Sequence, residues 1–162
     1  MGSIYAVLGN HDSHDMVPAF ENLGAHVLIN ETNIVKARGE QLILTGTDDV
    51  HNFFTENAPM ALRAAPDGFK IALVHSPELA QEAADNGFDL YLCGHTHGGQ
   101  ICMPGGRPIL THLNRHENLS DGLWKYEEML GYTNPGAGTS VMPIRFFKRP
   151  EITRFTLRHQ LA

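Results

Sequence analysis

FDLYLCGHTHGGQI, residues 88–101, decides how the chain is read. Phe88 to Cys93 is an apolar run of strand length closed by Gly94, and its length and bounding turn residues mark a buried strand, not a helix. His95 and His97 follow at once, separated only by Thr96 and trailed by Gly98 and Gly99. Two imidazoles at the carboxyl end of a buried strand, beside backbone that carries no side chains, mark a candidate site.

The preceding segment repeats the pattern. FKIALVH (69–75) is a second buried strand ending in a histidine. Between the two strands, Ser76 is a plausible N-cap, Pro77 fits the first helical position, Glu78 lies beside the positive helix end and Gly87 supplies the stop. Strand, helix and strand with a short crossover is the unit of a parallel sheet, whose sites lie at the carboxyl ends of its strands.

Further upstream, SIYAVLG (3–9) reads as a buried strand that delivers Asn10, His11 and Asp12 at its end. Pro18 opens a short helix closed by Gly24, and AHVLIN (25–30) follows as a strand. NIVKARG and QLILTGTDD predict a hairpin turning at Gly39 and Glu40. A helix is expected over 58–65, with Asn57 as its cap, Pro59 in its first turn and Pro66 beyond its end. Residues 112–140 are expected to be irregular, and PIRFFKRPEITRFTLR (143–158) to form two closing strands broken at Pro150. No internal boundary is visible, so a single α/β domain is expected over residues 1–162.

Composition narrows the function classes. The chain has 42% apolar residues, a net charge of -6 and scattered Lys and Arg, so no basic patch for nucleic acid is expected. No run is long enough to span a bilayer, and MGSIYAVLGNHD has no basic leader. Cys93 and Cys102 fit neither a metal knuckle nor a disulfide framework and are expected as small buried hydrophobes.

The chemistry lies in a set, not in single residues. Asn10, His75, His95 and His97 each end a predicted strand of one sheet and are therefore expected to converge. Imidazoles with an amide oxygen suit Zn, Fe, Mn or Ni better than Ca or Mg. The tight GHTH turn aims its two imidazoles at neighbouring points, which fits two metals sharing a site. Such a pair, about 3.5 to 4 Å apart, activates water and clamps phosphoryl oxygens during in-line attack. Gly98 and Gly99 then let backbone approach phosphate. His14, His26, His51, His112, His116 and His159 read as surface or structural residues, and Asp48 and Asp49 as turn chemistry.

GNHD (9–12), LVHSPE (73–78) and CGHTHGGQI (93–101) resemble three successive motifs of the calcineurin-like metallophosphoesterases, and LINET, GTDD and GAGTSVMPIRFFKRPEIT extend the resemblance to a bacterial phosphodiesterase branch. The resemblance implies a layered sheet-and-helix fold and a phosphate-ester substrate. It also implies Asn10, His75 and His95 as ligands of one metal, and His97 as a ligand of a second. His11 would protonate the leaving oxygen, with Asp12 orienting its ring. The family pattern opens with DxH and GDxxD motifs that do not precede Gly9 here, and DSHD (12–15) is no substitute because it follows GNHD directly. The resemblance thus covers the carboxyl-terminal half to two-thirds of such a domain, without its first strands and bridging carboxylate. Activity is accordingly expected to depend on a homo-oligomer or a complementing amino-terminal segment. A non-catalytic scaffold and a UDP-diacylglucosamine-type pyrophosphatase are the competing expectations.

Overall fold

A computed structural model describes residues 3–158 with the exception of 38, 54 and 112. Its main sheet has six strands: β3 (Glu31–Ala37), β4 (Glu40–Gly46), β5 (Phe69–Leu73), β6 (Leu90–Cys93), β7 (Gly122–Tyr126) and β8 (Met129–Thr133). Their order is β3-β4-β5-β6-β8-β7. β4, β5, β6 and β8 run parallel, and the antiparallel pairs β3–β4 and β7–β8 form the two edges. The β3–β4 hairpin turns through Gly39, whose φ of 88° favours a residue without Cβ.

α2 (Asn57–Arg63) connects β4 to β5, and α3 (Ala80–Asp85) connects β5 to β6. Alternation in the strands explains the core: Ala72 and Val74 share one face with Tyr91 and Cys93, and this face packs on Ala58 and Leu62 of α2 and on Ala80 and Ala83 of α3. Asn57 is the first helical residue of α2, not its cap; Glu56 holds the cap position and makes no side-chain capping bond. Ser76 takes the cap position before a 3-10 turn that leads into α3.

Three expectations need correction. Residues 112–140 contain the β7–β8 hairpin, whose short strands begin at Gly122 in β7 and are interrupted by Gly131 in β8 and therefore lack a continuous apolar signature. Residues 143–158 form no strands; their only ladder contact is a bridge from Phe146 to Ile101. Finally, the strands do not form one sheet, because β1 (Ile4–Ala6) pairs in parallel only with β2 (Ala25–Val27), which follows α1 (Val17–Asn22). His112 and His159 lie outside the described residues. No helix among the described residues is long and apolar enough to cross a membrane.

Ladder bonds continue past the strand ends and tie the loops together. Thr47 N donates to Leu73 O (3.3 Å), Gly94 N to His75 O (2.9 Å) and Asn134 N to Cys93 O (2.8 Å). The carboxyl ends of β4, β5, β6 and β8 are thus held on one rim.

The hairpin at the edge depends on one cross-strand pair. Trp124 faces Gly131, and its indole N–H donates to Thr133 Oγ1 at 2.9 Å. A Cβ at position 131 would overlap the Trp124 ring. Gly131→Ala should lower stability by about 1–3 kcal/mol through overpacking. It should also red-shift the emission of Trp124, the single tryptophan. Urea unfolding followed by fluorescence checks both, and an unchanged midpoint and emission would contradict this packing.

Candidate functional site

β1 leads directly into Gly9 and Asn10. Asp12 closes the turn: its backbone N–H donates to Gly9 O at 2.9 Å, and its Oδ2 accepts the Gly9 N–H at 2.8 Å. Asp12 therefore caps the backbone of this loop. His11, which it was expected to orient, is exposed.

Gly9 has a specific reason to be glycine. A Cβ there would lie 2.5–2.9 Å from three atoms of the His75 imidazole. His75 arrives from the end of β5, so this contact seats the β1 loop against the main sheet. His75 Nε2 lies 2.9 Å from Asn10 Oδ1, and His95 Nδ1 lies 3.1 Å from His75 Nε2. Asn10, His75 and His95 are thereby brought together from three strand ends.

These separations serve hydrogen bonds, and they also match a coordination sphere. Ligands held roughly 2.0–2.1 Å from a Zn-sized ion sit roughly 3 to 3.5 Å from one another. Burial, followed by the nearby charge of His95, pushes the His75 pKa down from 6.5 to about 4. An imidazole kept neutral retains the lone pair that a metal needs. The donors present are two imidazoles and one carboxamide; among the described residues, no group of three or more His, Cys, Asp or Glu side chains is disposed to hold an ion.

The GHTHGGQ turn is built from unusual backbone. His95, His97, Gly98, Gly99 and Gln100 all have positive φ, between 51° and 81°. Left-handed conformations in non-glycine residues persist only where surrounding structure enforces them. Thr96 is one enforcer: its buried hydroxyl donates to Ser120 O (2.6 Å) and accepts the Gly98 N–H (3.1 Å). His97, in consequence, turns to partners other than those of His95.

Arg145 Nη1 donates to His97 O at 3.2 Å, and its Nη2 lies 3.4 Å from His97 Nδ1 and donates to Pro135 O at 2.6 Å. Burial first, and then the Arg145 charge, lower the His97 pKa. Gly98 and Gly99, expected to admit phosphate, also answer to packing. A Cβ at 98 would meet Lys148 and Asp121, and one at 99 would meet Pro108.

Two residues assigned to turns or the surface in the sequence reading lie beside the trio. Asp49, 1% exposed, accepts the N–H groups of His51 (3.0 Å) and Asn52 (2.8 Å) through Oδ2. The His51 ring stacks on His95, with centroids 4.2 Å apart. Asp48, one residue before, accepts from His14 at 3.2 Å. A signal was present: QLILTGTDD ends a buried run in polar residues, as SIYAVLGNHD does. Reading β4 only as one arm of a hairpin concealed its place in the parallel set.

The family model for calcineurin-like phosphoesterases matches residues 2–99. The uncharacterised metallophosphoesterase YkuE of Bacillus subtilis is 34% identical over 122 residues, which is 75% of this chain and 42% of YkuE. The phosphodiesterase YaeI of Escherichia coli is 30% identical over 161 residues, 94% of this chain and 57% of YaeI. A second Bacillus subtilis metallophosphoesterase, YkoQ, is 29% identical over 160 residues, covering 93% of this chain and 58% of YkoQ. The chain therefore spans about half the length of these curated relatives. No solved structure matches it.

The contact between Gly9 and His75 can be tested directly. Gly9→Ala should force the imidazole off Asn10, costing about 1–3 kcal/mol of stability by overpacking. The check is denaturant unfolding together with the nuclear Overhauser contact between the His75 and His95 rings. Retention of both would show that His75 does not depend on the space above residue 9.

Proposed function

The chain belongs to the calcineurin-like phosphoesterase family, and from that premise we propose that its strand-end cluster serves the metal-dependent hydrolysis of a phosphate ester. The observation that carries the reading is the approach of both Asn10 Oδ1 (2.9 Å) and His95 Nδ1 (3.1 Å) to His75 Nε2 on the rim. In this reading Asn10, His75 and His95 hold one divalent ion of the Mn, Zn, Fe or Ni class, and His97 contributes to a second. Bound there, the metals would polarise phosphoryl oxygens and lower the pKa of water. A phosphodiester is the favoured substrate because of the name of YaeI.

The chain's own residues divide the remaining work. In this reading His11, exposed next to Asn10 at the mouth of the loop, would give the leaving oxygen its proton. Asp12 keeps the GNHD turn closed through the Gly9 N–H. In this reading the left-handed backbone of Gly98 and Gly99 would let the chain approach the phosphate.

Asn10, His75 and His95 bring no carboxylate, and two dications held a few ångströms apart repel strongly unless a carboxylate lies between them. We therefore assign full activity to an assembly in which a second copy, or a segment carrying the family's DxH and GDxxD motifs, supplies acidic ligands. β1 pairs only with β2 among the described residues, and Ile4 is 57% exposed, so this two-stranded sheet is the proposed docking place.

The test compares the chain alone, the complemented chain and two variants of the complemented chain, His11→Ala and His95→Ala. Metal content is read by mass spectrometry, and activity by hydrolysis of a nitrophenyl phosphodiester in Mn or Zn. Complementation should raise both metal content and rate. His11→Ala should lower turnover by roughly 10²–10⁴-fold with metal retained, the usual weight of a lost general acid. His95→Ala should lose metal first. An inactive complemented chain across metals and phosphoesters would favour a binding or scaffold role for the fold.

A further inference from the structure

Two polar atoms beside the trio are buried without a hydrogen-bond partner among the described residues: Asp49 Oδ1 and His51 Nε2. They belong to the loop that follows β4, an element to which the proposed chemistry assigns nothing. We infer that His51 is a positioning residue for His95, its stacked ring setting the plane in which His95 presents Nδ1 to His75. This inference rests on the proposal that Asn10, His75 and His95 hold a metal.

The geometry supplies the reason. An imidazole on a left-handed residue is tethered at Cβ, but its terminal torsion is broad and does not by itself fix the ring plane. His95, with φ of 68°, is in that position. His75 meets its ring edge-on, with centroids 4.9 Å apart and planes at 74°. His51 meets it face-on, with centroids 4.2 Å apart and planes at 19°. One contact at the edge and one on the face together define an orientation that neither defines alone.

His51 is itself held at both sides of its loop. Its N–H and that of Asn52 are bound by the buried Asp49 carboxylate. Asn52 Nδ2 in turn donates to Asn10 O, tying the loop to the backbone of another trio member. The 49–52 loop thus buttresses two of the three donors, and partners that orient metal-ligating histidines commonly govern metal affinity by 10- to 100-fold.

The experiment uses the full 162-residue chain and Zn²⁺ alone as the probe. His51→Ala should weaken Zn²⁺ binding by about 10- to 100-fold and remove the nuclear Overhauser contact between the His95 and His75 rings in metal-free protein. His51→Phe, which keeps a flat ring without nitrogen, should preserve both. Asp49→Ala should act like His51→Ala and add little when the two are combined, because both act through the same ring. Wild-type affinity and ring contact in His51→Ala would overturn the inference, and so would a His51→Phe protein as weak as His51→Ala. If the wild-type chain alone bound no Zn²⁺, the ring contact in the metal-free variants would decide the role of His51, and the metal-site proposal would stand or fall with the complemented chain.

Discussion

The imidazole of His75 occupies the space that any side chain at position 9 would need, and the rest of the site is arranged around that contact. The six-stranded sheet and the β1–β2 pair are separate ladders. Packing of the His75 ring on Gly9 brings the end of β1 to the rim formed by β4, β5, β6 and β8. Once the ring is seated, its Nε2 meets Asn10 on one side and His95 on the other. A second glycine plays a comparable part nearby: a side chain at Gly46 would strike Leu28, so the β4 end can lie close to the segment that follows β2. Close approach of backbone is thus what allows two small sheets to share one site.

The same contact fixes the electrostatics. His75 is sufficiently buried for its pKa to fall to about 4, and the neighbouring imidazoles His95 and His51 push in the same direction. Asp49 and Asp12 oppose this shift without cancelling it. The result is an uncharged His75 nitrogen beside the Asn10 carboxamide oxygen, with the buried Asp49 carboxylate at the margin. Free imidazoles in water would be partly protonated near neutrality. In His75, desolvation keeps the lone pair available.

Holding donors at the end of β6 requires a backbone that resists its own preferences. Five residues between His95 and Gln100 take positive φ. Thr96 anchors the turn from within through Ser120, and Arg145 anchors it from outside by donating to His97 O and Pro135 O. Arg145 lies in the 143–158 stretch, which forms no strand. That segment instead wraps the rim, held by Arg145 and by the pair between Lys148 and Asp121.

Much of this was legible in the sequence. Strand-length apolar runs ending in GNHD, VHSP and GHTH marked three loops, and a strand–helix–strand unit with proper stops implied that two of them share a rim. Local chemistry was enough for these inferences, because apolar run length, proline at a helix start and glycine at a helix end act over a few residues. The β7–β8 hairpin could not be read in that way: Gly131 interrupts its strand and makes sense only opposite Trp124. Nor could the role of the 49–52 loop, since His51 and His95 lie 44 positions apart in the chain and meet only because β4, β5 and β6 align in parallel. The sequence determined which groups stand at the strand ends. The tertiary structure decided which of them meet, because strand register and the void above a glycine belong to the packed sheet and not to any one segment.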